Sequence, residues 1–522
     1  MAEQRNFDVV VIGSGLGGLT AAALLAQGGH RVCVLEGHTS MGGAASCYRI
    51  GALTIEASLH ETADPRDPRD PKHAILKKLG LLEEVQWVEV PALQTIMGGP
   101  LGPEPFVLPH DFAAAGKALA ARFPARAAGL ARLLERMREA YDALGQLQQA
   151  SRSHSLMGLA AAAPDLVRLL GQWRHSLADV LNEELGDDEA AKCALAANLL
   201  YYGDDPARIW WLFFAAAQGG YIGSGGVYVR GGSAALSRAL ARLVKRAGGD
   251  VLMGRKVVGV DLGTDGQPVA LRHVGKDGVE TAFGCRTVLA NCSPHALGTM
   301  LTENSRDTFL APYRDKPLSV SLFSAHFGLA VPPQRFGLQA YSTVILPDDM
   351  MALADFARAG NAAADLPGAS LPPLAVVNYG AIDSGLDNPD LTLVTVVGLD
   401  RVANWEGMAK EDEHKKRAAW LAAIEADLER RFPGFAGAVK ERFFVSARSM
   451  RSYLETPAGA VYGFAPEVPD HSFLSGAPRS VKTPLPGIFL ASAFGGFGGF
   501  SGAMGAGGLA AEAAERFLKD QA

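Results

Sequence analysis

Val9-Val10-Val11-Ile12-Gly13-Ser14-Gly15-Leu16-Gly17-Gly18 is the stretch on which the reading of this chain turns. Val9–Ile12 is an unbroken β-branched run, the pattern of a strand buried on both faces of a parallel sheet. The next six residues satisfy G-x-G-x-x-G, and Ala21–Ala26 predicts a helix that Gly28-Gly29 ends. In that setting Gly13 permits a tight turn, Gly15 lets a pyrophosphate approach the main chain, and Gly18 lets helix pack on strand. The loop's N–H groups, with Ser14 and Gly17 between the key glycines, and the helix dipole suit negative phosphates. Arg31–Leu35 reads as a second strand. Glu36 at its end is placed to accept from ribose hydroxyls and would repel a 2′-phosphate, which disfavours NADP.

The residues after Glu36 separate the remaining dinucleotides. Five positions intervene before Gly42-Gly43, and Ala44-Ala45 comes next. A second close approach of backbone to pyrophosphate suits FAD and is unnecessary for NAD. No second complete G-x-G-x-x-G follows a strand elsewhere, so FAD is the expected cofactor and a separate NAD(P)H domain is not expected.

Composition narrows the class. In 522 residues, 49 Lys+Arg face 55 Asp+Glu, and no basic run is present, so nucleic acid is not an expected partner. The 60 glycines exceed a tenth of the chain, against a usual ~7%. Cys33, Cys47, Cys193, Cys285 and Cys292 form no Cys-x-x-Cys pair, so neither a disulfide framework nor a metal site is expected. The N-terminal residues lead straight into a strand, and no apolar run reaches the ~18 residues of a membrane span. The expectation is a cytoplasmic protein, soluble or held to a membrane peripherally.

Along the chain, Pro65-Arg66-Asp67-Pro68-Arg69-Asp70-Pro71 reads as an exposed stiff loop. Residues 111–217 read as several helices, Ser233–Arg246 as an amphipathic helix, and Val251–Val260 and Val269–Val288 as short strands. Runs at Ser319–Leu329, Ala375–Tyr379 and Leu391–Leu399 suggest a second, antiparallel sheet. Gly487–Leu490 is a buried strand, followed by a glycine-dense loop and a helix over Leu509–Leu518. No internal repeat is apparent. Nucleotide-type segments at both ends imply a discontinuous FAD-binding domain (1–104, 223–300 and 476–522). A helical region that faces substrate or membrane (105–222) and a substrate domain built on an antiparallel sheet (301–475) are threaded into it.

Several separated stretches resemble the phytoene desaturase group of FAD oxidoreductases, which includes carotenoid isomerases and retinol saturases. They are Gly225–Gly232, Gly254-Arg255-Lys256-Val257, Asn291-Cys292-Ser293-Pro294-His295, Thr456-Pro457 with Tyr462-Gly463, and Gly487–Gly508. The likeness runs from Asp8 to Phe517. It implies an α/β fold of amine oxidase/phytoene desaturase type, a Rossmann-like FAD domain with an inserted α+β substrate domain. It also implies that the main chain of Val257 binds adenine and that Gly502, Ala503 and Met504 bring N–H groups under the flavin's pyrimidine edge. Ala44-Ala45 replaces an Arg found in many relatives, as in the isomerase and saturase branches. Ala491-Ser492-Ala493 replaces the usual start of the C-terminal motif, and a Gly/Phe-rich run replaces His-Pro, a departure from strict phytoene desaturation.

By the same resemblance, Ser58-Leu59-His60-Glu61 passes the flavin. His60 or Glu61 could move a proton as hydride moves, or form a structural pair. Tyr201, Tyr202 and Tyr221 are further candidate donors. Trp210, Trp211, Phe213 and Phe214 read as a core helix or as a wall for an elongated apolar substrate. Phe494, Phe497 and Phe500, three residues apart, read as an apolar wall beside the flavin. The function expected is an FAD-dependent oxidoreductase acting on carbon–carbon double bonds of a hydrophobic polyene or isoprenoid, by hydride transfer at flavin N5. The electron donor or acceptor is left open. Alternatives are a redox-neutral isomerase using reduced FAD, and a non-catalytic lipid carrier of the GDP-dissociation-inhibitor type.

Overall fold

The computed structural model describes residues 5–58, 60–152, 168–386, 388, 390–472, 475 and 479–521. Leu59 and the expected boundary at residue 476 lie outside the described residues. The β-branched run becomes strand Asn6–Ile12, in which Val9, Val10 and Val11 are fully buried. It lies inside a seven-stranded sheet ordered Asp250–Met253, Val32–Glu36, Asn6–Ile12, Glu280–Ala290, Pro268–Val274, Lys256–Leu262. Ile488–Leu490 pairs in parallel with the end of Glu280–Ala290, which also pairs with Asn6–Ile12, so the chain's last strand returns one strand away from its first.

Alternation along the central strand sorts the layers. Val9 and Val11 pack with helices Leu16–Gln27, Ser233–Arg246 and Gly499–Asp520, whereas Val10 and Ile12 face Val257, Leu271 and Leu297 on the other side. Among the described residues, no helix is long and apolar enough to cross a membrane.

The second sheet also has seven strands, mostly antiparallel, with Ser321–Leu329 and Thr392–Asp400 at its centre. One face (Phe323, Ala325, Phe327) buries against Ile424 and Leu428 of helix Lys410–Arg431. The opposite face carries a polar trio in which His326 hydrogen-bonds Ser324 and Thr395, 3.0 Å each. Gln94–Gly98 joins this sheet by parallel pairing with Ser342–Leu346. The expected limit of the FAD domain at residue 104 is therefore too late: Gln94–Gly98 belongs to the second sheet, and Phe106–Leu108 pairs with it before the helices begin. Sequence pattern cannot reveal this, because the pairing partner lies far along the chain.

The proline-rich loop also departs from its reading. It is three successive Asp-Pro-basic units, Asp64-Pro65-Arg66, Asp67-Pro68-Arg69 and Asp70-Pro71-Lys72. In each, the Asp accepts from the backbone N–H two residues on and from that residue's side chain. Successive Asx turns are thereby stiffened by proline and capped by an ion pair. Asp70 and Lys72 are buried, not exposed, and the Lys72 ammonium also donates to Ser501 Oγ at 2.5 Å.

The glycine-dense stretch before Leu509 remains loop to Gly498, but from Gly499 it is helix, Gly499–Asp520. Glycine disfavours helix by ~1 kcal/mol relative to alanine, but here the helix lies against the backbone of Leu16–Gln27. A Cβ on Gly507 would stand 2.2 Å from the Gly17 carbonyl oxygen. Gly507→Ala should lower stability by roughly 1–3 kcal/mol in urea unfolding. Gly116→Ala, where the nearest atom is Leu134 Cδ1 at 3.4 Å, should raise it by about 0.5–1 kcal/mol.

Candidate active site

The phosphate loop is assembled from the two strand ends. Gly13 has φ +89° and donates its N–H to Leu35 O. Glu36 Oε2 accepts from Ser14 N–H at 2.9 Å and Ser14 Oγ at 2.6 Å, and its Oε1 accepts from His38 N–H at 2.8 Å. A carboxylate has lone pairs to spare beyond these three, so the residue that shapes the loop keeps acceptor capacity for ribose. Gly42, with φ +111°, donates to Ser14 O, and Gly15 and Gly42 form a parallel bridge. A Cβ on Gly43 would sit 3.4 Å from Gly15 Cα. Bare backbone therefore faces bare backbone where the pyrophosphate is expected, and the residues present fit FAD.

Around this cradle the other expected contacts take definite places. Ala44 and Ala45 use their carbonyls to accept from Ser58 Oγ and Ser237 Oγ. Val257 lies in strand Lys256–Leu262, whose start is tied to the Glu36 end by Arg255 N–H donating to Glu36 O. Sequence reasoning missed two supports. Asn291 accepts from Gly18 N–H at 3.0 Å, and a Cβ on Gly15 would collide with its Nδ2 at 2.4 Å. Buried Glu56 accepts from Ser233 N–H and Oγ at 2.7 and 2.6 Å. An Asn directly after a buried strand was the available signal for the first; nothing local marks the second.

Two expectations near the flavin need correction. Gly502, Ala503 and Met504 were to present free N–H groups. Because the helix starts at Gly499, its unpaired donors belong to Gly499, Phe500 and Ser501, one turn earlier. Gly502 instead packs on the Phe497 carbonyl, 2.0 Å from where a Cβ would be, and Met504 is fully buried in the core. Phe494, Phe497 and Phe500 do not form one wall, since the chain turns between them and then enters the helix. Phe494 meets Phe464 edge-on at 5.0 Å and Phe500 packs in the first-sheet core. Phe497 alone turns to the helical region, stacking on Phe213 at 5.2 Å under the Arg479 guanidinium. Of the four rings at 210–214, Trp210, Trp211 and Phe214 are buried, and Phe213 is the one left partly exposed.

His60 and Glu61 are surrounded by protein yet retain some accessible surface, deep but only partly covered. Tyr201, Tyr221 and Tyr462 share this condition. His60 Nδ1 hydrogen-bonds Tyr201 Oη at 2.7 Å, the Tyr341 hydroxyl donates to His60 O, and Tyr221 Oη donates to Glu61 O at 3.3 Å. Tyr202 turns away and donates to Gln218 Oε1 at 3.2 Å. Desolvation pushes His60 down to about 4 and Glu61 up to about 8, so both are neutral at pH 7. His326 on the second sheet is pushed down to about 3 by burial and by His60.

Comparison with known proteins agrees with this construction. A model described as FAD binding domain matches residues 8–94. All-trans-retinol 13,14-reductase of Rattus norvegicus is 24% identical over 93% of this chain and 82% of its own length. The Danio rerio protein of that name is 23% identical with the same coverage. A phytoene desaturase (neurosporene-forming) from Rhodobacter capsulatus is 24% identical over 59% of this chain and 56% of its own. The chain is thus similar to all-trans-retinol 13,14-reductases and to a phytoene desaturase, and its first domain binds FAD. Its fold is shared by an oxidoreductase from Methanosarcina mazei, TM-score 0.61 at 15% identity over 98% of this chain and 100% of the other. Cyclohexylamine oxidase from Brevibacterium oxydans matches with TM-score 0.58 at 14% identity over 99% of each chain.

For this flavoprotein, Glu36→Ala removes three hydrogen bonds to one carboxylate. FAD affinity should fall by roughly 10–100-fold, the equivalent of one or two charge-assisted bonds, as read by flavin retention on gel filtration and by titration.

Proposed function

We propose that this flavoprotein adds hydrogen across a carbon–carbon double bond of a hydrophobic polyene. The observation that carries the reading is the deep, only partly covered cluster of Tyr201, Tyr221, Tyr462, His60 and Glu61, in which both titratable groups of the 60–61 pair are neutral at pH 7. An apolar chain pays little to enter such surroundings, whereas a charged substrate would lose its hydration without a counter-charge from this pair. Phe213 and Phe497 extend the aromatic surface towards the flavin-side turn.

FAD, when bound, supplies a two-electron hydride carrier. The chain's own contribution is positional. Gly13–Gly18, Glu36 and Gly42-Gly43 would hold the dinucleotide, the first turn of helix Gly499–Asp520 would present donors to reduced flavin, and the tyrosine-lined space would orient the polyene and exclude water. Likeness to two all-trans-retinol 13,14-reductases across 93% of this chain, against 59% for the desaturase, supports reduction as the direction and an elongated isoprenoid as the substrate class. Neither the isomerase nor the carrier alternative is favoured by these relatives. The proposed setting is the cytoplasm, with peripheral contact to a membrane from which the substrate is drawn.

The test is anaerobic. With the holoprotein reduced by dithionite, addition of all-trans-retinol should restore the oxidised flavin spectrum as the polyene absorbance disappears. Bleaching of oxidised flavin by phytoene instead would reverse the direction. Flavin that stays reduced while the polyene only changes geometry would mark an isomerase.

A further inference from the structure

We propose that Glu61 is the catalytic proton donor, protonating the alkene carbon next to the one that receives hydride. The assignment rests on the reading that a polyene double bond is reduced.

Its backbone is fixed from several directions. The 60–61 segment is held by Tyr341 at His60 O, by Tyr221 at Glu61 O, and by Tyr201 at the His60 ring. These tyrosines come from the approach to the second sheet, from helix Trp211–Ser224 and from the short helix Ala197–Tyr201. The Glu61 side chain is treated differently. Its Oε2 is buried with no hydrogen-bond partner among the described residues, and burial is what perturbs the carboxyl, with no described cation acting to hold it as a carboxylate. Oε2 is packed against Gly226 beside the His110 ring, so the accessible remainder of the Glu61 side chain is what faces the substrate, and its carboxyl bears a proton that no described protein group claims at Oε2.

The neighbouring groups are poorer donors. His60 carries no extra proton near neutral pH. His110 is locked as one neutral tautomer, its Nδ1 donating to Tyr221 O at 2.9 Å and its Nε2 accepting from Gly226 N–H at 3.2 Å. His326 has both ring nitrogens engaged by Ser324 and Thr395. Tyr201, Tyr202, Tyr221, Tyr341 and Tyr462 all have their hydroxyl acidity suppressed by burial. Among these described groups, Glu61 holds the proton that is most readily given up.

The step balances. One alkene carbon takes a hydride, two electrons and a proton, from reduced FAD. The π bond breaks, and its pair takes the Glu61 proton at the adjacent carbon. Two C–H bonds form, the substrate is reduced by two electrons, FAD is oxidised by two, and Glu61 is left as a carboxylate. It regains its proton from solvent when the saturated product leaves.

The experiment compares wild type, Glu61→Gln and Glu61→Asp as holoproteins, reduced anaerobically and mixed with all-trans-retinol or phytoene. Glu61→Gln should keep its FAD content and flavin spectrum but reoxidise roughly 10²–10⁴-fold more slowly, with Glu61→Asp recovering part of the rate. The wild-type rate should fall as pH rises through about 8, where the acid ionises. Independently of turnover, infrared difference spectra of FAD-free protein should show a carboxylic acid band that titrates near pH 8 and is missing in Glu61→Gln. If Glu61→Gln fails to fold, the wild-type pH profile and band still decide. Wild-type turnover beside an unimpaired Glu61→Gln, or a band that has vanished by pH 6, overturns the Glu61 assignment alone. A wild type whose reduced flavin neither polyene reoxidises removes the underlying reading, and this assignment with it.

Discussion

The structure depends on one close contact between the two ends of the chain. Gly17, in the first turn of helix Leu16–Gln27, lies so near the last strand that a Cβ would stand 2.0 Å from Ala491 O, and Gly507 lies equally close to Gly17 O. Phosphate binding requires the start of the first helix to be free of side chains. That same bareness lets the C-terminal helix lie backbone to backbone on it. The FAD domain can close only when the last strand and helix return to the first, so the helical region and the second sheet must be inserted between. Gly463, whose Cβ would meet the Ala493 backbone at 2.9 Å, carries the contact on to the segment beside the second sheet.

The FAD half of this arrangement was legible in the sequence because its signals are local. A β-branched run, a glycine loop, an acid at the next strand end and a second glycine pair each report on a few adjacent residues, and Asn6–Ile12, Leu16–Gln27 and Val32–Glu36 fall where they point. The misreadings share a different cause. Glycine content argued against helix before Leu509, but tertiary packing on Gly17 overrides propensity there. Proline and charge argued for an exposed loop at 65–71, but the Asp-Pro-basic units satisfy their own polar groups, which lets Asp70 and Lys72 be buried. A spacing of three in Phe494, Phe497 and Phe500 suggested one face, although the chain is not one regular element across them.

The proposed catalytic half was readable only as an adjacent pair. His60 and Glu61 stand together in sequence, but what distinguishes them comes from Tyr201, Tyr221 and Tyr341, all far along the chain. Tyrosine is a large apolar body with one polar tip, so it can seal a hydrophobic space and still anchor a peptide carbonyl. The result is a firmly held main chain at 60–61 and a Glu61 side chain whose Oε2 has no partner among the described residues.

That unpaired side chain has an energetic consequence. In the unfolded chain Glu61 ionises near 4.5, and in the folded protein near 8. A raised carboxyl pKa gives stability that is complete below 4.5 and is lost as pH rises to about 8, so at pH 7 keeping the proton on Glu61 costs the fold a few kcal/mol relative to an exposed carboxylate. His60 runs oppositely: in the folded protein the ring is neutral above about 4, and above 6.5 the unfolded ring is neutral too, so it carries no comparable cost at pH 7. A purely structural residue at 61 would avoid the penalty as Gln or Leu. An acid kept neutral at a cost, beside a histidine kept neutral at none, makes the space electrically quiet towards a polyene while retaining one proton within it. In the proposed reduction, the same neutrality that admits an apolar substrate therefore stores the proton that the reaction consumes.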